Sequence, residues 1–186
     1  MIIATDQEFP EQLAWITPLR GWALAASGHR EEGITQIQQG LAATQAMGAT
    51  VHQPYYPYFL ALLAEASAWI GQTTEGLAAL AEALAKSTAR WWEVELYRLR
   101  GELLLQQTAT QPEEAEVCFQ QALDIARRQQ AKSLELRAAT SLARLWLQQG
   151  KRAEARALLA PLYGWFTEGF DTADLRDART LLEALV

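Results

Sequence analysis

Three groups of side chains in this sequence are of the kind that carry chemistry. The first is a single cysteine, Cys118, together with two histidines, His29 and His52. A thiol nucleophile needs an imidazole within hydrogen-bonding reach, yet Cys118 stands beside Phe119 in a helical pattern and both histidines are remote in the chain. A buried structural cysteine is the expectation. His29 falls in a turn between Gly28 and Arg30, and His52 in a loop before Pro54, so both are expected to be solvated. One cysteine closes no internal disulfide, and with two histidines it makes no zinc-type cluster; neither a metal nor a cofactor is expected. The second group is Glu113, Glu114 and Glu116. A carboxylate pair suits acid–base work, but these three sit at a helix start, where negative charge is favoured by the helix dipole. The third is Gly150-Lys151, the end of a would-be phosphate loop; Arg152 replaces the required hydroxyl residue and the upstream glycine is missing. No catalytic residue is assigned, and the chain is read as a non-enzyme.

The elements that position these residues follow from composition and turns. A chain of 186 residues holds one ordinary domain or one short repeat array. Half the residues are apolar, a fifth are charged, and there are only 11 glycines and 6 prolines, which is the composition of a folded protein. Asp and Glu outnumber Lys and Arg by 22 to 16, a formal charge of −6 that works against binding phosphate backbones, so no nucleic acid partner is expected. Met1–Ala4 carries no Lys or Arg and is followed by Asp6, Glu8 and Glu11, unlike a signal peptide. Apolar runs such as Tyr58–Ala64 stop far short of the roughly 20 residues that span a bilayer, so no membrane partner and a cytoplasmic location are expected.

Four turn segments resemble one another: Gly28–Gly33, Gly71–Gly76, Gln111–Ala115 and Gly150–Ala155. In each, a helix-terminating break is followed by polar residues and a glutamate close to a small residue. Gly28, Gly71 and Gly150 suit the left-handed residue that ends a helix, and Pro112 suits the first turn of the next. The small residues Gly33, Gly76, Ala115 and Ala155 recur about every 40 residues. Inside the units, small and large positions recur in step: Gly21, Ala64, Gly101 and Ala143 in the first helices, with Ile37, Leu80, Phe119 and Leu159 in the second. Two helices pack closely only where no bulky side chain separates their backbones. Helices are predicted at about 10–27, 30–47, 55–70, 74–87, 90–106, 112–129, 132–148, 151–165 and 172–185. Pro18 and Pro57 are expected in first turns, and Pro161 is expected to kink or shorten its helix. The last segment puts Leu175, Ala178, Leu182 and Leu185 on one stripe, as in a capping helix.

This small-and-large pattern resembles the tetratricopeptide (TPR) repeat. The expected fold is all-α: a right-handed α-α superhelix, a TPR-like solenoid of about four helix pairs plus a C-terminal cap. One domain over 1–186 is expected, with repeats at about 10–48, 54–88, 90–129 and 131–166 and the cap at 171–186. Several segments carry a more specific resemblance: Arg20–Ala25, Tyr58–Ala66, Trp91–Leu105, Ala115–Ala126 and Gly164–Leu175. They are similar to the C-terminal TPR region of large bacterial signalling proteins, in which an adenylate or guanylate cyclase domain or a DNA-binding regulator domain precedes a signal-transduction ATPase. That resemblance implies a regulatory region that senses a partner or ligand, without the cyclase or ATPase chemistry.

In TPR arrays the first helix of each unit lines a concave face. The common register puts Trp15 and Trp22, Tyr58 and Glu65, Glu95, Arg98 and Glu102, and Arg137 and Arg144 toward it. These nine residues are the expected partner-binding set. The face runs from aromatic through acidic to basic, and it suits a protein or peptide with an apolar anchor and opposite charges. The competing expectation is that the tryptophans fill contacts between units and the charges pair along helices, as Arg98 and Glu102 do at i, i+4. A second function, sensing of a small-molecule effector, would use a pocket lined by Trp15, Trp22, Tyr58 and Trp69. The chain contains no asparagine, which disfavours the carboxylate clamp of chaperone-binding repeats. At the amino end, Met1–Phe9 reads as the tail of a preceding unit, and Trp15, Ile16, Leu19 and Trp22 offer more apolar surface than one helix pair covers. The sequence predicts that this face continues into a larger protein or pairs with a second copy as a homodimer.

Overall fold

The computed structural model describes residues 10–47, 55–86, 92–107 and 112–186, with the side chains of residues 10 and 11 excepted. His52 and the segment Met1–Phe9 lie outside the described residues. Among the described residues there are nine helices and no strand. They fall into two compact units, up to Trp92 and from Glu93 onward.

The first unit contains α1 (Pro10–Ala26), α2 (Arg30–Ala46), α3 (Tyr56–Ala68) and α4 (Thr73–Lys86). The turn after α1 shows why the chain reverses where it does. Gly28 takes φ 105°, a left-handed conformation open to glycine. Its N–H donates to the Ala25 carbonyl, and the next N–H, of His29, donates to Leu24. This is a Schellman closure, and it repeats at Gly71 after α3. Where α1 crosses α2 the backbones touch. A Cβ on Gly21 would lie 2.6 Å from the Gly33 carbonyl oxygen, and one on Gly33 would lie 2.4 Å from that of Gly21. The second pair has Ala64 and Gly76, both buried, at the same register positions. α3 pairs with α4, and α1 and α2 both pack on α3, which encloses Ile34, Ile37, Phe59, Leu60, Leu80 and Ala83.

Pro18 is a correction. It stands in the middle of α1, not in a first turn, and removes the donor that would reach Ala14. The structure accommodates it because Gly40 of α2 faces its ring: a Cβ there would come 2.4 Å from Pro18 Cδ. Pro57, by contrast, falls in the first turn of α3.

The second unit contains α5 (Glu93–Gln106), α6 (Pro112–Gln129), α7 (Lys132–Gln148), α8 (Arg152–Tyr163) and α9 (Ala173–Ala184). α5 pairs with α6, α7 with α8, and the first helices α5 and α7 also touch. The Phe119 ring fills the space beside Gly101, where an added Cβ would meet Cε1 at 2.5 Å. Ala143 and Ala155 are fully buried at the matching positions of the next pair. Gly150 closes α7 as the sequence requires, but the same closure after α6 is made by Gln130 at φ 55°, a residue with no such preference. Pro161 lies near the end of α8, which stops at Tyr163, two residues short of the sequence estimate. α9 packs on α7 and α8. Its buried stripe is Leu175, Ala178, Leu181 and Leu185, so Leu181 replaces the expected Leu182, which is half-buried.

Candidate functional site

The three chemical groups are placed as follows. Cys118 is buried and free, and burial pushes its thiol up. His29 is exposed at the start of α2. Glu113 and Glu114 occupy the first turn of α6. Glu116 does more than complement the dipole: it accepts a hydrogen bond from Trp146 Nε1 at 2.8 Å and pairs with Lys151 at 3.6 Å, tying α6 to the far end of α7. Among the described residues no group of three or more His, Cys, Asp and Glu is arranged to hold a metal. Nor is any described helix long and apolar enough to cross a membrane.

The nine nominated residues sit on the first helices, and each unit uses them differently. In the first unit the contacts are aromatic. Trp22 of α1 donates from Nε1 to Glu65 Oε2 of α3 at 2.7 Å, and its ring lies 6.0 Å from that of Trp69. Trp22 and Glu65 each follow a small register residue by one position, so equivalent positions of neighbouring first helices meet. Tyr58 stacks on Trp92 with centroids 4.0 Å apart and planes 18° apart. Burial, with the Glu65 carboxylate nearby, pushes the Tyr58 hydroxyl above its usual range. Trp15 packs edge-on against Tyr55 and Phe59.

In the second unit the contacts are ionic. Arg98 is 6% exposed and Glu95 8%. The Arg98 guanidinium donates from Nε and Nη2 to Glu95 and from Nη1 to Glu102 at 2.6 Å. Burial alone would lower the guanidinium, but the Glu95 and Glu102 carboxylates outweigh it and hold Arg98 above its ordinary value. Arg137 of α7 reaches Glu95 Oε2 at 3.1 Å, again joining equivalent positions of neighbouring first helices. Ser141 donates to Glu102 at 2.8 Å. Both outer arginines continue to α9, Arg137 to Asp174 at 3.5 Å and Arg144 to Asp177 at 2.8 Å. Ser141, Asp174 and Asp177 were not nominated from sequence, because the register between α7 and α9 is written in neither helix alone. These groups line a cleft of about 100 Å³. A neighbouring cleft of about 240 Å³ adds Leu105, Phe119 and Leu145.

The nearly identical TPR-like repeats of a putative kinesin light chain from Podosopora anserina superimpose with a TM-score of 0.69, at 18% identity, over 95% of this chain and 86% of that one. A single-substitution variant of those repeats gives 0.70 at 18% identity, over 95% and 85%. The fold is that of a TPR-like helical repeat. At this identity the likeness concerns the fold alone. No family model matches the chain, and no curated protein does either. Within each unit of this repeat fold the nominated side chains join neighbouring first helices, through aromatic and hydrogen-bonded contacts in one unit and charged contacts in the other.

Proposed function

We propose that the chain is a non-enzymatic interaction scaffold that binds a protein or peptide on its first-helix faces, through Trp15, Trp22, Tyr58 and Glu65 in one unit and Glu95, Arg98, Glu102, Arg137 and Arg144 in the other. The observation that supports this most is that these side chains lie at equivalent positions of neighbouring first helices, a semi-rigid platform of Trp, Tyr and Arg of the kind that dominates interfaces. The two clefts of the second unit, about 100 and 240 Å³, are smaller than the roughly 300 Å³ of ordinary ligand pockets and suit an open groove. A peptide library displayed against the full chain tests the proposal. Enriched peptides should shift the signals of Trp22, Glu65, Glu102 and Arg144 in NMR titrations. A library that yields no enriched sequence, or one whose binders leave those signals in place, rejects it.

The ring contacts of Trp22 with Trp69, of Tyr58 with Trp92 and of Trp15 with Tyr55 and Phe59 favour a second reading, an effector sensor that uses Trp15, Trp22, Tyr58 and Trp69. In either case the resemblance of Trp91–Leu105 and Gly164–Leu175 supports a regulatory role in a cytoplasmic bacterial signalling protein with a cyclase or signal-transduction ATPase. We also propose that the exposed apolar residues of α1 pair two copies of the chain.

A further inference from the structure

The first-helix face of the first unit holds a carboxylate without a cationic partner among the described residues. Glu65 is half-buried and accepts a hydrogen bond from Trp22 Nε1. No described Lys, Arg or His forms an ion pair with it. Several other carboxylates on or near the first helices are paired: Glu95 and Glu102 with Arg98, Glu135 with Arg127 and Lys132, Glu116 with Lys151. Arg30, which reaches the end of α3, donates instead to the Trp69 carbonyl oxygen at 3.0 Å.

The groups around Glu65 are aromatic. Trp69 stands one helical turn later, at the C-cap of α3, and Tyr58 two turns earlier, so all three share a face. The Trp22 ring completes the set, 6.0 Å from Trp69. The raised Tyr58 hydroxyl keeps that ring an uncharged phenol. A partly desolvated carboxylate repels anions and is made costlier by a neutral apolar ligand that strips its water. A cation relieves it, and the faces of Trp22 and Trp69 attract the same cation through their quadrupoles, with the Tyr58 phenol in electrostatic reach of Glu65.

We propose that Trp22, Tyr58, Glu65 and Trp69 form a binding site for an organic cation, an ammonium or guanidinium group, either free or on the side chain of a partner. The proposal rests on reading this face as the contact surface, and it names the ligand chemistry. The test follows the Trp22 indole N–H in the full chain by NMR. One arm titrates choline against its uncharged tert-butyl analogue, and another titrates a lysine- and arginine-containing peptide against the same peptide with norleucine and citrulline. A cation should move the Trp22 signal, with affinity at least about tenfold above its uncharged counterpart. Glu65→Gln, which keeps an acceptor for Trp22, should lose about tenfold, and Trp69→Leu should weaken binding with the Trp22 hydrogen bond intact; thermal melts confirm that both variants fold. Response to choline identifies a free cation, and response to the peptide alone identifies a partner side chain. Equal binding of the uncharged analogues, wild-type affinity in Glu65→Gln, or no shift with either cation overturns the proposal. If library-selected peptides still engage the first helices in that case, the scaffold reading stands without the cation site; if none does, both fall.

Discussion

At the scale of single residues, the close approaches carry the sharpest consequences. Gly21 has backbone on its open side: an added methyl would lie 2.6 Å from the Gly33 oxygen and 2.8 Å from the Ile37 nitrogen. Neither atom moves without parting α1 from α2, so Gly21→Ala should destabilise the chain by about 3 kcal/mol in a denaturant melt, at the upper end of overpacking costs. An unchanged midpoint would mean that the two helices separate easily. Arg98 carries the opposite hazard. Replacing it with Met removes the guanidinium that engages Glu95 and Glu102, leaving Glu95 buried with Arg137 as its remaining cation. Breaking a buried pair from one side costs about 3 to 5 kcal/mol, and the retained Arg137 contact puts the expectation near about 3. A loss below about 1 kcal/mol, read from the same melt, would show that the network is dispensable.

At the scale of elements, α1 keeps a proline in its middle because α2 offers a glycine to it. Gly40→Ala would drive a Cβ to 2.4 Å from Pro18 Cδ and 3.0 Å from its backbone nitrogen; in a Pro18→Ala background the ring clash is gone, only the tight approach to that nitrogen remains, and alanine is the better helix former. The double-mutant cycle should therefore show a coupling of about 2 kcal/mol with the alanine pair favoured, and additivity would contradict the packing. The turn from α6 to α7 carries ion pairs on Glu135. Burial raises the Glu135 carboxyl, but hydrogen bonds from Lys132 and Arg127 outweigh burial and lower it below 4.5. A folded value below the unfolded one contributes stability at neutral pH that is lost as pH falls through the acid range under 4.5. Glu135→Gln should thus be less stable than wild type at pH 7, and the gap should narrow in melts below about pH 4; a gap independent of pH would dismiss the ion pairs. Much of this layout was legible in the sequence. Gly28, Gly71 and Gly150 announce left-handed closures because L side chains rarely adopt that backbone. The closure at Gln130 carries no such mark, so only the helix ends around it were visible. Periodicity found the helices and the register residues, including the pairing of Arg98 with Glu102 four residues on. The bonds from Trp22 to Glu65 and from Arg144 to Asp177 cross between helices. Such contacts depend on axial shifts that no local pattern encodes.

At the scale of the whole molecule, the open question is what covers the apolar residues of α1. Ile16 is 39% exposed and Leu19 37%, on a helix whose other apolar side chains are largely engaged within its unit. Burying a full aliphatic side chain contributes about 1.5 to 3 kcal/mol, and a partly exposed one about 1. A two-fold contact uses each residue twice, so these side chains together supply about 4 kcal/mol. Association costs at least about 4 kcal/mol in lost rigid-body freedom, so a self-pairing built on this stripe is weak. The protein should accordingly be a monomer at low micromolar concentration; a shift toward a dimer in light scattering at about millimolar concentration would show that the neighbouring half-buried Trp15 and Trp22 add the further ~4 kcal/mol such a dimer needs. Ile16→Glu together with Leu19→Glu should abolish any such shift, because it places like charges across the two-fold axis; both side chains are already partly exposed, so a cooperative melt should persist. A chain that stays monomeric across the whole series would remove the dimer and reserve the stripe for a different protein. A dimer that survives both glutamates would place the contact on another face.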